Sequence, residues 1–297
     1  MSSAAFEAFL TVQCIMAIAA LGHYLPLSMK QLDVGIAGYM SIGAYASATL
    51  TRDHGWSFGL ALLAGAVLAA VAAFVIDLLA TRVRLTGFAT AIFSLSFAES
   101  LRVVLDNSDA VGGTLGFVGI APHTTLPLVA IILGVAVVGF FVLDRTRLGQ
   151  IKTAIGDDEF IVPQFGVNLV RTKLIVFSAG GALGGLAGGL YAHYVLFMRP
   201  DDFGFTLLLA IQLPVVFGGL NRFYGALLGI FLLGAIPELV RGFGEFRLLF
   251  TASATLLLLI VRPSGMLTHE TIATLSRGAG RLFGILGSIK QPGRERP

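Results

Sequence analysis

Long apolar runs alternate with short polar segments along almost the whole chain. A helix crosses the hydrocarbon core of a bilayer with about 20 predominantly apolar residues. Nine runs approach or exceed this length, two or three of them only barely: 6–27, 34–50, 58–80, 85–105, 126–143, 174–197, 205–220, 224–240 and 248–261. The pattern predicts an all-α fold, a polytopic transmembrane helical bundle of about eight or nine spans.

The composition supports this interpretation and excludes several classes of protein. Hydrophobic residues make up 56% of the 297 residues and charged residues 12%, and the mean hydropathy is +0.87. These values exclude disorder and argue against a soluble enzyme. The net charge of +3 comes from basic residues spread between the apolar runs, and no patch suited to nucleic acid results. Cys14 is the single cysteine, which excludes an intramolecular disulfide and a thiolate zinc cluster.

Basic residues fall unevenly on the two sides of the predicted spans. If the C-terminal tail is cytoplasmic, fifteen of the twenty Lys and Arg residues lie on the cytoplasmic side. The other five are Arg52, Arg102, Arg199, Arg241 and Arg247. Because cytoplasmic loops carry the excess of Lys and Arg, the N-terminus is predicted outside and the C-terminus inside. We expect a transmembrane domain at 1–262 with a cytoplasmic loop at 144–173, and a basic cytoplasmic tail at 263–297 that is either interfacial or solvated.

Ionisable residues inside the runs are costly in lipid and therefore mark candidate functional positions. Glu99 and Arg102 are three residues apart, so they can pair on one helix face, either as a structural pair or along a solute pathway. Asp77 lies close in sequence to Arg82 and Arg84. Asp77 is expected either to snorkel toward the end of its span or to pair with these arginines, in a structural role.

No catalytic residues and no metal site are predicted. The five histidines lie far apart without the spacing of metal ligands. A phosphate-binding P-loop needs a Lys directly after Gly, whereas the four lysines follow Met29, Ile151, Thr172 and Ile289. If transport is driven by ATP, the ATP is hydrolysed on another polypeptide.

Glycine is abundant inside the apolar runs as well as in turns, with 37 residues in all. Gly181, Gly185 and Gly189 recur every four residues, a second row lies one residue earlier, and Gly225 with Gly229 repeats the spacing. Such rows let helix backbones approach closely in a membrane. We predict that these glycines pack helices, either statically or as a seam along which helices slide.

Four segments carry a resemblance to a known family. They are QLDVGIAGYMSIGAYASA at 31–48; LTGFATAIFSLSFAESLRVVL at 85–105 with GGTLG at 112–116; GQIKTAIGDDEFIVPQFGVNLVRTK at 149–173; and VVFGGLNRFYGALLGIFLLGAIPELVR at 215–241 with RPSGML at 262–267. The sequence resembles the permease subunits of the branched-chain amino acid ABC transporters, the hydrophobic amino acid uptake family. It is more similar to the second of that family's two paralogous permeases.

The resemblance implies a permease subunit of an ATP-binding cassette importer, which is not itself an enzyme. Its expected partners in the bacterial inner membrane are a second paralogous permease, two ATP-binding subunits that use ATP and Mg, a periplasmic solute-binding protein and lipid, but no nucleic acid. No cofactor is expected on this chain. The implied solutes are branched-chain or hydrophobic amino acids, or related small solutes such as urea or amides.

Residues 149–173 resemble the family's cytoplasmic coupling loop. The resemblance implies that a helix around residues 154–166 docks in a groove on one ATPase, with acidic residues at its centre that can pair with basic residues of that partner. The residues implied in coupling are Ala154, Ile155, Gly156, Asp157, Asp158, Glu159 and Gly166. Gly156 stands where the family commonly has a basic residue, and Pro163 is expected to end or kink the helix.

The candidate translocation pathway draws on the polar residues of the spans and on the glycine turn after the fourth run. These residues are Gln31, Asp33, Glu99, Gly112, Gly113 and Thr114. Asp33 and Ile36 replace the Ser and His that are typical of the family, so the resemblance does not identify the solute that this chain transports. The alternative function is a standalone ion-coupled secondary transporter or channel, which needs ion-binding carboxylates, chiefly Glu99 here.

Overall fold

The structure is a computed structural model, and it describes residues 3–239 and residue 253. Residues 3–239 contain nine α-helices: α1 (Ser3–Ser28), α2 (Ile36–Arg52), α3 (Phe58–Arg82), α4 (Phe88–Asp106), α5 (Leu126–Arg145), α6 (Arg147–Asp157), α7 (Leu169–Val195), α8 (Phe205–Gly218) and α9 (Phe223–Leu239). Short 3-10 turns lie in the connections, at Asp109–Val111, Gly113–Leu115, Val162–Phe165 and Pro200–Phe203.

Eight of the nine predicted runs coincide with α1 to α5 and α7 to α9. The ninth run, 248–261, lies outside the described residues except for residue 253, and so do Arg241, Arg247 and the tail at 263–297. Within the described part, six helical segments are long and apolar enough to cross a membrane: Ser3–Ser28, Phe58–Arg82, Phe88–Asp106, Leu126–Arg145, Leu169–Val195 and Pro200–Gly218. An all-α, polytopic bundle is confirmed, whereas the exact number of spans stays a prediction because α2 and α9 have only 17 residues each.

Several connections meet at one end of the bundle, which we call the basic end. Tyr24 near the end of α1, Asp144 near the end of α5, Lys152 of α6 and Arg222 before α9 line one cavity of about 590 Å³. The end of α3 joins them, because α3 runs antiparallel to α7 along its length. Nine of the twelve basic residues in the described range lie at or near this end: Lys30, Arg82, Arg84, Arg145, Arg147, Lys152, Arg171, Lys173 and Arg222.

The remaining connections meet at the opposite end. The Arg52 side chain at the end of α2 donates a hydrogen bond to the Val118 carbonyl (3.1 Å). Phe117 and Met198 form a short antiparallel bridge, with hydrogen bonds of 2.8 and 3.3 Å between their backbones. Successive long helices therefore run in alternate directions between the two ends, as spans of a polytopic bundle must.

Glycine rows hold the centre of the bundle, where α7 packs against α1, α2 and α3. A Cβ added at Gly22 would lie 2.6 Å from the Gly180 carbonyl oxygen, and one at Gly181 would lie 2.8 Å from the Ala69 carbonyl oxygen. Gly43 of α2 packs directly on the Gly185 backbone. The absence of side chains at these positions brings the backbones of four helices into contact.

A second glycine contact closes the hairpin formed by α8 and α9. A Cβ at Gly225 would lie 2.6 Å from the carbonyl oxygens of both Gly218 and Gly219. Gly229 packs against the Pro214 carbonyl of α8 one turn further along. The four-residue spacing in α9 thus places both glycines on the face that meets α8.

The bundle core contains a break between α1 and α2. The chain is non-helical from residue 31 to residue 35, and α2 begins at Ile36, beside Gly184 in the middle of α7. α2 therefore starts halfway along the bundle and not at its end. Irregular backbone at this depth is tolerated only because protein covers it, and residues 33–35 are all buried.

Two expectations about local structure are wrong. The acidic residues Asp157 to Glu159 do not lie at the centre of a helix, because α6 ends at Asp157 and Pro163 begins a separate 3-10 turn. Asp77 is buried at 4% exposure and forms no ion pair with Arg82 or Arg84 among the described contacts. The two arginines lie beyond it at the end of α3 and are exposed.

Candidate functional site

One face of α6 is seated on α1 and α5. The side chain of Thr146 caps the helix by accepting a hydrogen bond from the Gly149 amide (3.3 Å). Lys152 is 2% exposed, lies 3.5 Å from the Asp144 carboxylate and sits over the Tyr24 ring at 4.8 Å. Burial lowers the pKa of the Lys152 ammonium, and the Asp144 carboxylate opposes the shift. These contacts fix α6 to the basic end.

The other face of α6 and the turn that follows it form an open apolar groove, which we call the α6 groove. Its volume is about 450 Å³. Phe160 and Phe165 beside it are 89% and 77% exposed, values unusual for phenylalanine outside a lipid or protein contact. The lining residues are Arg147, Gln150, Ile151, Ala154, Asp157, Asp158, Ile161, Val162, Phe165 and Val167.

The predicted coupling residues divide between these two faces. Ala154, Asp157 and Asp158 line the α6 groove, whereas Ile155 and Gly156 are buried beneath it. Gly166 ends the turn in a left-handed conformation (φ 73°), which glycine adopts without strain. Sequence reasoning missed Phe160 and Phe165, although two phenylalanines in a polar segment were the available signal.

Glu159 does not point into the α6 groove with its neighbours. Its carboxylate accepts hydrogen bonds from Lys173 Nζ (2.6 Å) and from Gln31 Nε2 (2.8 Å). The predicted pairing of this carboxylate with a basic residue of another subunit is therefore replaced by partners within the chain.

Asp33 lies in the break before α2 and organises the start of that helix. Its Oδ1 accepts a hydrogen bond from the Gly35 amide (2.9 Å), and the Val34 amide donates to Ser94 Oγ of α4 (3.0 Å). A carboxylate at a helix N-terminus is stabilised by the exposed amides and the helix dipole. The break is thereby tied to α4 as well as to α2.

A second polar group lies at the opposite end. Arg102 bridges Glu99 (2.8 Å) and Asp201 (2.6 Å), so the predicted Glu99–Arg102 pair is present and extends to the 3-10 turn before α8. Gly112 and Gly113 turn the chain after α4 with φ of 81° and 47°. Thr114 follows them and is exposed.

The six candidate pathway residues therefore form two groups and no single site. Gln31 and Asp33 lie in the α1–α2 break, whereas Glu99 lies on α4 toward the opposite end, where the turn that contains Gly112, Gly113 and Thr114 contacts the end of that helix. The two groups share α4, which holds Ser94 against the break and Glu99 five residues further along. Among the described residues, no group of three or more His, Cys, Asp or Glu side chains is placed to hold a metal ion.

Comparisons with known proteins agree with this architecture. A family model described as "Branched-chain amino acid transport system / permease component" matches residues 5–262. The high-affinity branched-chain amino acid transport system permease protein LivM of Escherichia coli (strain K12) is 29% identical over 86% of this chain and 68% of its own length. No solved structure matches the chain at a significant level.

More distant relatives have other names. The autoinducer 2 import system permease protein LsrC of Enterobacter sp. (strain 638) is 24% identical over 76% of this chain and 68% of its own length. The ribose import permease protein RbsC of Escherichia coli (strain K12) is 24% identical over 73% of this chain and 72% of its own length. Permease proteins named for different solutes are thus similar to most of the chain.

Proposed function

The chain belongs to the family of permease components of branched-chain amino acid transport systems, and we propose that it forms, with a second paralogous permease, an inward pathway for branched-chain and other hydrophobic amino acids. It is a permease subunit of an ABC importer and not an enzyme. A subunit of this kind works with ATP-hydrolysing subunits and a solute-binding protein. Mg and ATP are used by those partners.

The observation that carries the proposed coupling to ATP hydrolysis is the α6 groove. A helix fixed to the bundle by buried contacts on one face, with a groove on the other that is lined by the exposed Phe165 and followed in the same turn by the exposed Phe160, suits the docking of a rigid partner. The groove lies at the basic end, and the excess of Lys and Arg there supports a cytoplasmic location for that end, where the ATPase subunits are expected. Closure of the ATPase pair around ATP would then displace α6 and, with it, the helices on which it is seated.

The solute is proposed to enter from the opposite end and to pass the α1–α2 break. Gln31 and Asp33 at the break, and Glu99 with Gly112, Gly113 and Thr114 at the opposite end, remain the candidate pathway residues. The positions of these residues support the proposal, because each group lies where polar groups interrupt an otherwise apolar bundle. α4 also links the two groups, since Ser94 contacts the break and Glu99 lies on the same helix.

Truncation of the two exposed phenylalanines tests the docking. Phe160→Ala and Phe165→Ala should each weaken copurification of the ATPase subunit, because burial of a phenylalanine side chain contributes about 1.5–3 kcal/mol. The affinity should fall roughly tenfold to hundredfold. Leu115→Ala is the matched control, since Leu115 is 88% exposed at the opposite end. Unchanged copurification in both phenylalanine variants would show that the ATPase binds elsewhere.

Uptake by the reconstituted transporter tests the solute. Vesicles that contain this chain, the second permease and the ATPase subunits, supplied with the solute-binding protein, should accumulate leucine, isoleucine and valine on addition of ATP. Urea, a simple amide and ribose are the competing solutes. Accumulation of one of these without the amino acids would make the solute assignment wrong, and copurification of this chain without a second permease would make the heterodimer wrong.

A further inference from the structure

Glu159 joins three separate parts of the chain. It follows α6 in sequence, Lys173 lies in the first turns of α7, and Gln31 lies in the α1–α2 break, 128 residues from Glu159. The lysine and glutamate side chains are 14% and 35% exposed, so water screens this pair only in part. Hydrogen bonds to an ionised carboxylate are shorter and stronger than those between neutral groups.

A second contact brings the α6 segment against the same connection. A Cβ at Gly156 would lie 2.5 Å from the Ser28 carbonyl oxygen at the end of α1. A larger side chain at this position does not fit against this backbone. Gly156 therefore packs on the chain just before the α1–α2 break, while Glu159 binds Gln31 within the break.

The break leads within a few residues to the buried start of α2. Two residues that closely follow Gln31 make buried hydrogen bonds. The Asp33 carboxylate accepts one from the Gly35 amide, and the Val34 amide donates one to Ser94 Oγ of α4. These contacts are buried, so the short segment cannot move without moving the first turn of α2 or the middle of α4. A displacement of Glu159 would thus reach the break that contains Gln31 and Asp33, the start of α2, and α4, which carries Glu99.

We propose, on the basis of the function proposed above, that Glu159 is a positioning residue that transmits the movement of the docked α6 segment to the start of α2 through Gln31 and Lys173. It acts inside the permease and does not contact the ATPase. The acidic residues next to it, Asp157 and Asp158, are exposed in the α6 groove and belong to the docking surface.

The test compares Glu159→Gln with wild type in the complete reconstituted transporter. Glutamine keeps the shape of the side chain but loses the charge that binds Lys173. ATPase copurification and ATP hydrolysis should stay within about twofold of wild type, whereas the number of solute molecules imported per ATP should fall at least about tenfold. Lys173→Met should give the same uncoupling. Glu7→Gln, the same substitution at an exposed position near the start of α1, is the control.

Three outcomes would overturn the proposal. Glu159→Gln with an unchanged ratio of solute to ATP would show that the carboxylate transmits nothing, and loss of copurification would show that it is a docking contact. The third outcome is measured by amide hydrogen exchange in the wild-type complex and needs no variant. ATP binding should change exchange at residues 31–36 as well as at 154–166, and a change at 154–166 alone overturns the transmission. If wild type fails to bind any ATPase, the proposed function itself is wrong.

Discussion

Lys152 shows how a single side chain joins elements that the sequence keeps apart. It lies on α6, yet its ammonium group is buried between Asp144 of α5 and the Tyr24 ring of α1. A buried cation is stable only with a partner, and here a carboxylate and an aromatic face share that role. The sequence gives no signal for this burial, because Lys152 lies in the most polar segment between the spans.

The buried lysine predicts a dependence of stability on alkaline pH. Burial lowers the pKa of Lys152 in the folded protein below the ordinary 10.5 of the unfolded chain. Between these two pKa values the unfolded chain binds more protons, so the contribution of Lys152 to the free energy of unfolding rises with pH. The melting temperature of wild type minus that of Lys152→Met should therefore increase as pH rises toward 10.5.

Thermal unfolding in one detergent across this pH range measures the effect. Lys30→Met is the control, because Lys30 lies at the same end and is exposed. It separates the burial of an ammonium group from the general loss of a positive charge. A difference between wild type and Lys152→Met that shrinks as pH rises would contradict the prediction.

At the scale of the helices, the spacing of glycines in the sequence identified the glycine rows, but it did not identify the atoms of the neighbouring helix that each glycine contacts. Gly185 belongs to a row on α7, whereas its partner Gly43 on α2 has no glycine four residues before or after it. By contrast, Gly134 and Gly139 on α5 have no neighbouring atom within 4 Å of an added Cβ, although they too lie inside an apolar run. Glycine content therefore predicts close packing only where a second helix is placed against it.

This difference gives a matched pair of substitutions. Gly43→Ala should destabilise the protein by at least about 1–3 kcal/mol, because its Cβ would overlap the Gly185 backbone. Gly134→Ala should be neutral or stabilise by up to about 1 kcal/mol, because alanine favours the helix and nothing opposes its methyl group. Unfolding in denaturant compares the two, and equal effects would show that α2 and α7 do not meet at these glycines.

For the molecule as a whole, the contacts between connections at each end of the bundle also determine the direction in which each helix runs. The chain alternates between the two ends, so α1 begins at the end opposite to α6 and the α6 groove. α5 packs on the bundle mainly through Val129 and Phe140, and most of its surface is left for lipid or for another subunit. Since nine of the twelve described basic residues share the end that holds α6, that end is proposed to face the cytoplasm.

Labelling with a membrane-impermeant maleimide tests the orientation. In a Cys14→Ala background, Asp109→Cys at the opposite end should react with the maleimide in cells whose outer membrane is permeable and whose inner membrane is intact. Arg84→Cys, exposed at the basic end, should react only after the inner membrane is opened. Cys14 is buried, and because alanine removes only its sulfur atom, the substitution should leave the fold of the bundle intact. The reverse labelling pattern would invert the topology.

The spans, their order, the absence of a P-loop and the asymmetry of basic residues all follow from local patterns, because hydropathy and motif spacing need only neighbouring residues. The pairing of Glu159 with Gln31 and Lys173 does not, nor does the start of α2 halfway along α7. The sequence placed Glu159 with the ATPase-facing acidic residues, since three consecutive carboxylates look alike in a linear pattern. Folding separated them: α6 ends at Asp157, and the turn after it directs one carboxylate inward to residues 14 and 128 positions away.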